Sequence, residues 1–312
     1  MKRQRGVAVV TALLLTTLAV TIVASLFWQQ QVQVRSMENQ RLHLQTQWIL
    51  RGALDFARLI LRQDANDRPL ATTLDAPWAT PVAETRLDQY IERERLEGEN
   101  YDATLSGLIQ DAQARYNLAN LAQNRKINED QVKVFERLLA NVRLDPSLAR
   151  RTALQMRRSQ QPPLGAEPDP DGAQAGLELS SVDDLLAVPG FTPEALSRLR
   201  ELVVLLPQPT AVNINTAGPE VLAALMNVSV SEATAWTERR KSAYWRTAAD
   251  FQAQVGKQVA QNVSINTISE YFLVTSRIRL ERATLNAVSL IERKMGPSNP
   301  TLPTQVLWTR QI

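Results

Sequence analysis

The sequence predicts an α+β protein: a long amino-terminal helix packed on a small antiparallel sheet, with a large all-helical insert between strands. Three observations carry this. No proline occurs between Val7 and Arg68, and Gly52 is the only glycine there. Apolar alternation of period two appears near residues 101–110 and again after residue 271. Between these stretches the chain carries repeated helix-start signals instead. Strand, helical block, strands in that order is an α+β layout. At 312 residues with 44% hydrophobic and 21% charged side chains, there is material for a real core. The absence of cysteine excludes disulfides, thiolate catalysis and cysteine-ligated metals. A single histidine, His43, leaves no basis for histidine metal sites or Ser-His triads. No pair of acidic residues has a spacing that suggests a perturbed catalytic carboxylate.

The helix begins in lipid. Lys2, Arg3 and Arg5 precede Gly6, and Val7–Trp28 is apolar apart from threonines and Ser25. At about 1.5 Å per residue these 22 residues span roughly 33 Å, enough for the hydrocarbon core. The basic cluster before the span predicts a cytoplasmic amino end, with Trp28 an interfacial anchor on the far side. A cleaved secretory signal needs small residues at the end of the apolar run. Here Leu26-Phe27-Trp28 continue past Ala24-Ser25. Beyond the span, Leu42, Ile49, Ala53, Phe56 and Ile60 form one helical stripe, so one helix runs from about 7 to 62. The stripe is too short and irregular for a coiled-coil stalk.

The remaining elements follow in order. Residues 63–82 read as loop, Arg86–Glu97 as a short helix and Tyr101–Gln110 as a strand. Asn128, with Glu129, Asp130 and Gln131 behind it, has a capping-box pattern and opens a helix. Asp145-Pro146 opens the next as cap and first position. Ser159–Gly176 reads as a linker. Ser181 caps a short helix, Thr192-Pro193 starts another expected to run through Leu206, and Pro219 opens one more. The strands return with Phe272, Val274, Ile278 and Leu280 on one face, then Thr284–Arg293, then Gln305–Thr309. One strand segment is expected before the helical block and three after it.

A short basic leader, Gly6 and an immediate apolar run resemble the class III leader of type IV pilins and pseudopilins. That resemblance implies cleavage by prepilin peptidase between Gly6 and Val7, with methylation of Val7. Most of that family has glutamate at the fifth mature position, paired with the amino terminus of the subunit above. Here the position is Thr11. A subunit with nothing above it has no use for a carboxylate that is costly in lipid. Thr11 therefore resembles the general secretion pathway protein K branch of minor pseudopilins. Asp111-Ala-Gln-x-Arg-Tyr-Asn-Leu-x-x-Leu121, the 212–225 segment and Arg277-x-Arg-Leu280 are similar to the same family, in the same order. The resemblance implies a pseudopilin-like fold divided into a leader (1–6), a membrane helix (7–28), an α+β domain (29–122 and 266–312) and a helical insert (123–265). It implies a non-enzymatic subunit at the tip of the type II secretion pseudopilus, acting in protein export across the outer membrane. It would be single-pass in the inner membrane of a Gram-negative bacterium with a periplasmic body. Its implied partners are the minor pseudopilins I and J, the pseudopilus and the inner-membrane assembly platform.

Some family members bind calcium in an aspartate-rich loop, a site needing six to eight oxygens. The matching region here retains only Glu167, Asp169 and Asp171 as candidates, and no cofactor is expected. Val212-Asn-Ile-Asn-Thr-Ala217 also resembles the helix-hairpin-helix lineage, giving a second function: a membrane-anchored DNA receptor. Charge weighs against it. Residues 181–260 carry seven basic and eight acidic side chains, a poor phosphate footprint. The net charge of +3 has the same origin, since without Lys2, Arg3 and Arg5 the 32 remaining basic groups match the 32 acidic ones.

Overall fold

The computed structural model describes residues 5–87, 102–160, 176–294 and 304–312. Helix α1 (Arg5–Asp67) is unbroken over 63 residues, five longer at its carboxyl end than the apolar stripe suggested. Strands β1 (Val82–Arg86) and β2 (Ala103–Asp111) precede the helical block. The sequence reading missed β1. It starts directly after Pro81, and its side chains are almost all exposed, so no alternation marks it. The helix expected over Arg86–Glu97 is corrected at its start, since Arg86 ends β1; residues from 88 onward lie outside the described residues.

The chain then makes β3 (Tyr116–Asn117), β4 (Ala122–Gln123) and β5 (Lys126–Ile127). The helical block follows: α2 (Glu129–Asn141), α3 (Ser147–Ser159), α4 (Pro193–Leu199), α5 (Pro219–Met226), α6 (Val230–Arg239) and α7 (Ala248–Val255). Short strands β6 (Val203–Val204), β7 (Val212–Asn213) and β8 (Ile265–Asn266) are interleaved with it. Strands β9 (Tyr271–Leu280), β10 (Ala283–Arg293) and β11 (Thr304–Gln311) close the chain. The five-stranded sheet has the order β1-β2-β9-β10-β11. Against β10, β11 skips Leu307 between the pairs Leu290–Trp308 and Ile291–Val306.

Local chemistry explains most of these boundaries. Asn128 caps α2 by accepting from the Gln131 amide, with Glu129 and Asp130 in the first turn where the helix dipole favours them. The Gln131 side chain does not return the capping box; it donates to the Asn262 carbonyl at 3.0 Å. Asp145 accepts from the Ser147 amide at 2.9 Å, so α3 starts one residue later than Pro146. Thr192 caps α4 through the Ala195 amide, but the helix stops at Leu199 and not at Leu206. The reason is tertiary: β-branched Val203 and Val204 pair in parallel with Tyr116 and Asn117.

The chain forms two compact units. The first comprises Met1–Ala53, Ala83–Ser106 and Ser276–Asn286. Its small core joins Leu42 and Ile49 of α1 to Ala103, Leu280 and Ala283. Glu281 takes a positive φ of 49° in the β9–β10 turn, and its amide donates to the Asp102 carbonyl at 2.9 Å. The second unit comprises Leu54–Val82, Gly107–Thr275 and Ala287–Ile312. Its main core is built from the helical block around Phe135, Leu138, Leu139, Leu185, Leu222 and Phe251. Tyr116 stacks on Phe135 at 5.5 Å, and Trp236 and Trp245 meet Phe251 edge-on.

Candidate functional site

The apolar half of α1 is exposed all round. Leu13, Leu14, Leu18, Phe27 and Trp28 stand with more than half their surface free. An 18-residue window of this helix has mean hydropathy 2.3 and no buried residue, so the helix is long and apolar enough to cross a membrane. Its hydroxyls are internally satisfied. Thr11 donates to Ala8 O at 3.0 Å, Thr16 to Ala12 O at 2.9 Å and Thr17 to Leu13 O at 3.0 Å. Gly6 and Val7 have helical backbone within the first turn, and Thr11 lies about one turn beyond Val7.

The motif segments 111–121 and 212–217 converge on one buried polar cluster. Asp111, at the end of β2, accepts at Oδ2 from Thr216 Oγ1 (2.5 Å), Ser269 Oγ (2.6 Å) and Asn213 Nδ2 (3.1 Å). Its Oδ1 accepts from the Gln113 amide at 2.8 Å. Burial pushes the Asp111 carboxyl up, and the hydroxyl and amide donors pull it back only in part. Gln113 Oε1 in turn accepts from the Glu270 amide at 2.6 Å, just before β9. Asn213 Nδ2 also reaches the Thr72 carbonyl at 3.0 Å.

Thr72 leads to Arg293, at the end of β10. Arg293 donates through Nη1 to Asp64 Oδ2 (2.9 Å) and the Leu61 carbonyl (3.0 Å). Its Nη2 donates to Thr72 Oγ1 (2.8 Å) and the Ser269 carbonyl (3.0 Å). Both ion-pair side chains are 2% exposed. Burial lowers the guanidinium and raises the Asp64 carboxyl, against their mutual attraction. The Phe272 ring lies 4.6 Å from the guanidinium carbon and receives the edge of Trp78. The 111–121 segment, singled out above by its resemblance, supplies Asp111 and Gln113 to this cluster. Sequence reading missed Asp64 and Arg293; the available signal was a charged residue closing an apolar strand.

The arrangement is a joint: the Thr216 and Ser269 hydroxyls and the Arg293 guanidinium donate to its two carboxylates, while Asp64 Oδ1 and Arg293 Nε stay without a hydrogen-bond partner. Asn117 Oδ1 accepts from the Ala119 amide in an Asx turn. Asn120 instead accepts from the Thr210 amide at 2.9 Å. Among the described residues no group of three or more His, Asp or Glu could hold a metal ion. Glu167, Asp169 and Asp171 lie outside the described residues.

Two hairpin-like turns flank the helix-hairpin-helix-like segment, the first at Gly190 and the second at Asn227, and both are occupied by the protein itself. Gly190 has φ +101°, and Leu148 and Arg151 of α3 fill the space where a side chain would begin. Arg151 also donates to the Pro189 carbonyl at 3.0 Å. In the second hairpin, Asn227 adopts the left-handed conformation, and its amide and that of Val228 both return to Ala223 O. Arg240, after α6, donates to the Ile214 and Ala217 carbonyls of the turn before α5 at 2.8 and 2.6 Å. These amides and this cation are not aimed at a phosphate.

A long amino-terminal helix, an antiparallel sheet interrupted after β2, and a helical block joined to strand ends by a buried polar cluster define a protein of the pseudopilin class. The family profiles of type II secretion system (T2SS), protein K, match residues 114–208 and 212–271. The type II secretion system protein K of Pseudomonas aeruginosa is 29% identical, covering 93% of this chain and 89% of that protein. The Klebsiella pneumoniae protein K is 26% identical, covering 94% and 93%. A chain in the crystal structure of the GspK-GspI-GspJ complex from enterotoxigenic Escherichia coli superposes with TM-score 0.67 and 21% identity, covering 88% of this chain and 98% of that one. The chain belongs to the type II secretion system protein K family, the minor pseudopilins. None of these relatives supports a DNA receptor.

Proposed function

We propose that this chain is the tip subunit of a type II secretion pseudopilus and serves protein export as a structural, non-enzymatic part. The observation that carries the reading is Thr11: an uncharged residue, hydrogen-bonded within its own helix, at the position where a subunit with a neighbour above it would present a carboxylate. Residues 7–28 anchor the chain in the inner membrane with the amino end cytoplasmic, as the Lys2, Arg3, Arg5 cluster directs. Prepilin peptidase cuts between Gly6 and Val7, and Val7 is methylated. The α+β domain (29–122 and 266–312) then stands in the periplasm, and the insert (123–265) forms the apical surface. Pseudopilins I and J are its neighbours, a reading supported by the complex in which the structural relative was solved.

Intact-mass measurement after co-expression with prepilin peptidase tests the processing. The expected mass corresponds to a chain starting at methylated Val7; a chain still starting at Met1 refutes it. Co-purification with pseudopilins I and J tests the placement, and a complex that forms only without this chain refutes it.

A further inference from the structure

Where α1 leaves its apolar stretch, one helical face carries Phe27, Gln30, Gln31, Val34, Arg35 and Glu38, at the i, i+3, i+4, i+7 spacing that aligns side chains. Arg282, at the β9–β10 turn, faces it across a groove of about 590 Å³. Arg282 Nη2 donates to Glu38 Oε2 at 2.8 Å and to Asn39 Oδ1 at 3.2 Å. Both members of that pair remain half exposed, so the pair is weak and readily exchanged. Among the described residues Arg35 has no hydrogen bond or ion pair. Along the helix the groove is apolar at Phe27, amide-lined at Gln30 and Gln31, and cationic where Arg35 and Arg282 face it beside Val34.

We propose that this groove binds the headgroup of an anionic phospholipid in the leaflet from which α1 emerges. The inference rests on the membrane-anchor reading. With Trp28 at the hydrocarbon boundary, Arg35 lies about 10 Å further along the helix axis. The headgroup layer occupies roughly 5–7 Å of that distance, and an arginine's long stem lets its head reach back. Phe27 then meets acyl carbons. Gln30 and Gln31 donate to ester oxygens, and Arg35 and Arg282 grip the phosphate in charge-assisted bonds. Glu38 and Glu281 are the opposing charges at this end. Glu38 holds Arg282 only in the exposed, exchangeable pair, so the guanidinium can turn to a phosphate. The pinned turn at Glu281 keeps Arg282 at this level of the helix.

The test uses the full chain reconstituted in phosphatidylcholine vesicles. Spin-labelled phosphatidylglycerol and spin-labelled phosphatidylcholine are compared by the fraction of motionally restricted lipid. Each cation close to an anionic surface contributes about five-fold. The expected result is a several-fold preference for phosphatidylglycerol that falls with added salt. Arg35→Gln and Arg282→Gln should each remove up to about five-fold of it, while Lys2→Gln/Arg3→Gln/Arg5→Gln leaves most of it. Equal restriction of the two lipids overturns the proposal, as does a preference abolished by the Lys2/Arg3/Arg5 variant and unchanged in the Arg35 and Arg282 variants. If the chain fails to float with vesicles and restricts neither lipid, the anchor reading itself has failed. Arg282→Lys keeps the charge on an exposed turn and should retain the preference if Arg282→Gln acts through charge and not through folding.

Discussion

Replacing Arg293 with methionine probes the buried ion pair directly. The substitution keeps the side-chain length and leaves Asp64 Oδ2, the Leu61 and Ser269 carbonyls and Thr72 Oγ1 without the donor each now has. With both charged side chains 2% exposed, removing one partner costs roughly 3–5 kcal/mol. At about 2–4 °C per kcal/mol for a body of this size, Tm falls by roughly 6–20 °C. Residues 8–28 are exposed throughout, so a soluble chain beginning after Trp28 suits urea unfolding followed by tryptophan fluorescence. The sign with pH follows from burial, which already raises the Asp64 carboxyl in the folded state. Losing the guanidinium raises it further. The folded variant then takes up a proton at a pH where the unfolded chain does not. Its deficit is full above the raised pKa and shrinks as pH falls toward the ordinary carboxyl value of 3.8. Asp64→Leu added to Arg293→Met removes the unpaired charge and recovers most of the loss. A single-variant cost below about 1 kcal/mol, or a double variant no better than the single, refutes the reasoning.

Asp184 accepts from the Ser180 and Ser181 amides at 2.7 and 2.8 Å and from Ser180 Oγ at 3.0 Å. Burial pushes its carboxyl up, but these donors outweigh it and hold it below the usual range. The stability it supplies is therefore present above the unfolded pKa and lost as pH falls through the folded one. Asp184→Ala should cost about 1 kcal/mol at pH 7, a deficit that narrows once pH falls below the ordinary carboxyl value of 3.8; a deficit that does not change with pH in urea titrations would contradict this. Gly190→Ala should cost about 1–3 kcal/mol, because φ is +101° and the new methyl meets Leu148 Cδ2 at 2.9 Å and the Arg151 guanidinium. Arg151→Ala in the same chain should relieve the contact and leave the backbone strain, so thermal melts should show partial rescue; complete rescue would assign the whole cost to the clash.

How much was legible in the sequence depends on the range over which each signal acts. The helix of α1, the Asn128 and Thr192 caps and the alternation of β9 depend on neighbours a few residues away, and the chain states them directly. β1 was missed because an edge strand with exposed side chains has no apolar period to read. The end of α4 was overrun because Val203 and Val204 are taken by Tyr116 and Asn117, 87 residues earlier in the chain. Gln131 fits a capping box by spacing, yet the Asn262 carbonyl claims its side chain. The processing junction proposed at Gly6-Val7 rests on the resemblance of a local segment, whereas the groove at Arg35 and Arg282 joins residues 247 positions apart and needs the fold.

The same reasoning explains why a helix-hairpin-helix-like segment is compatible with a structural role. A glycine-rich hairpin binds phosphate when its amides point to solvent and cations stand beside them. In this chain the positions are kept but their bonding is turned inward. Gly190 is closed by α3, and the Asn227 and Val228 amides are spent on Ala223. Arg240 is spent on carbonyls, and Asn213 and Thr216 are spent on Asp111. Once Asn213 and Thr216 are committed to Asp111 and Ser269, the segment fastens the start of α5 to the ends of β2 and β9. Such a joint holds the large insert to the sheet. Asp111 at its centre is fully buried and ringed by donors, so pulling the insert away would expose a carboxylate and three donors together. Each of these groups is buried with its partners, so replacing one leaves the others without a bond and without water.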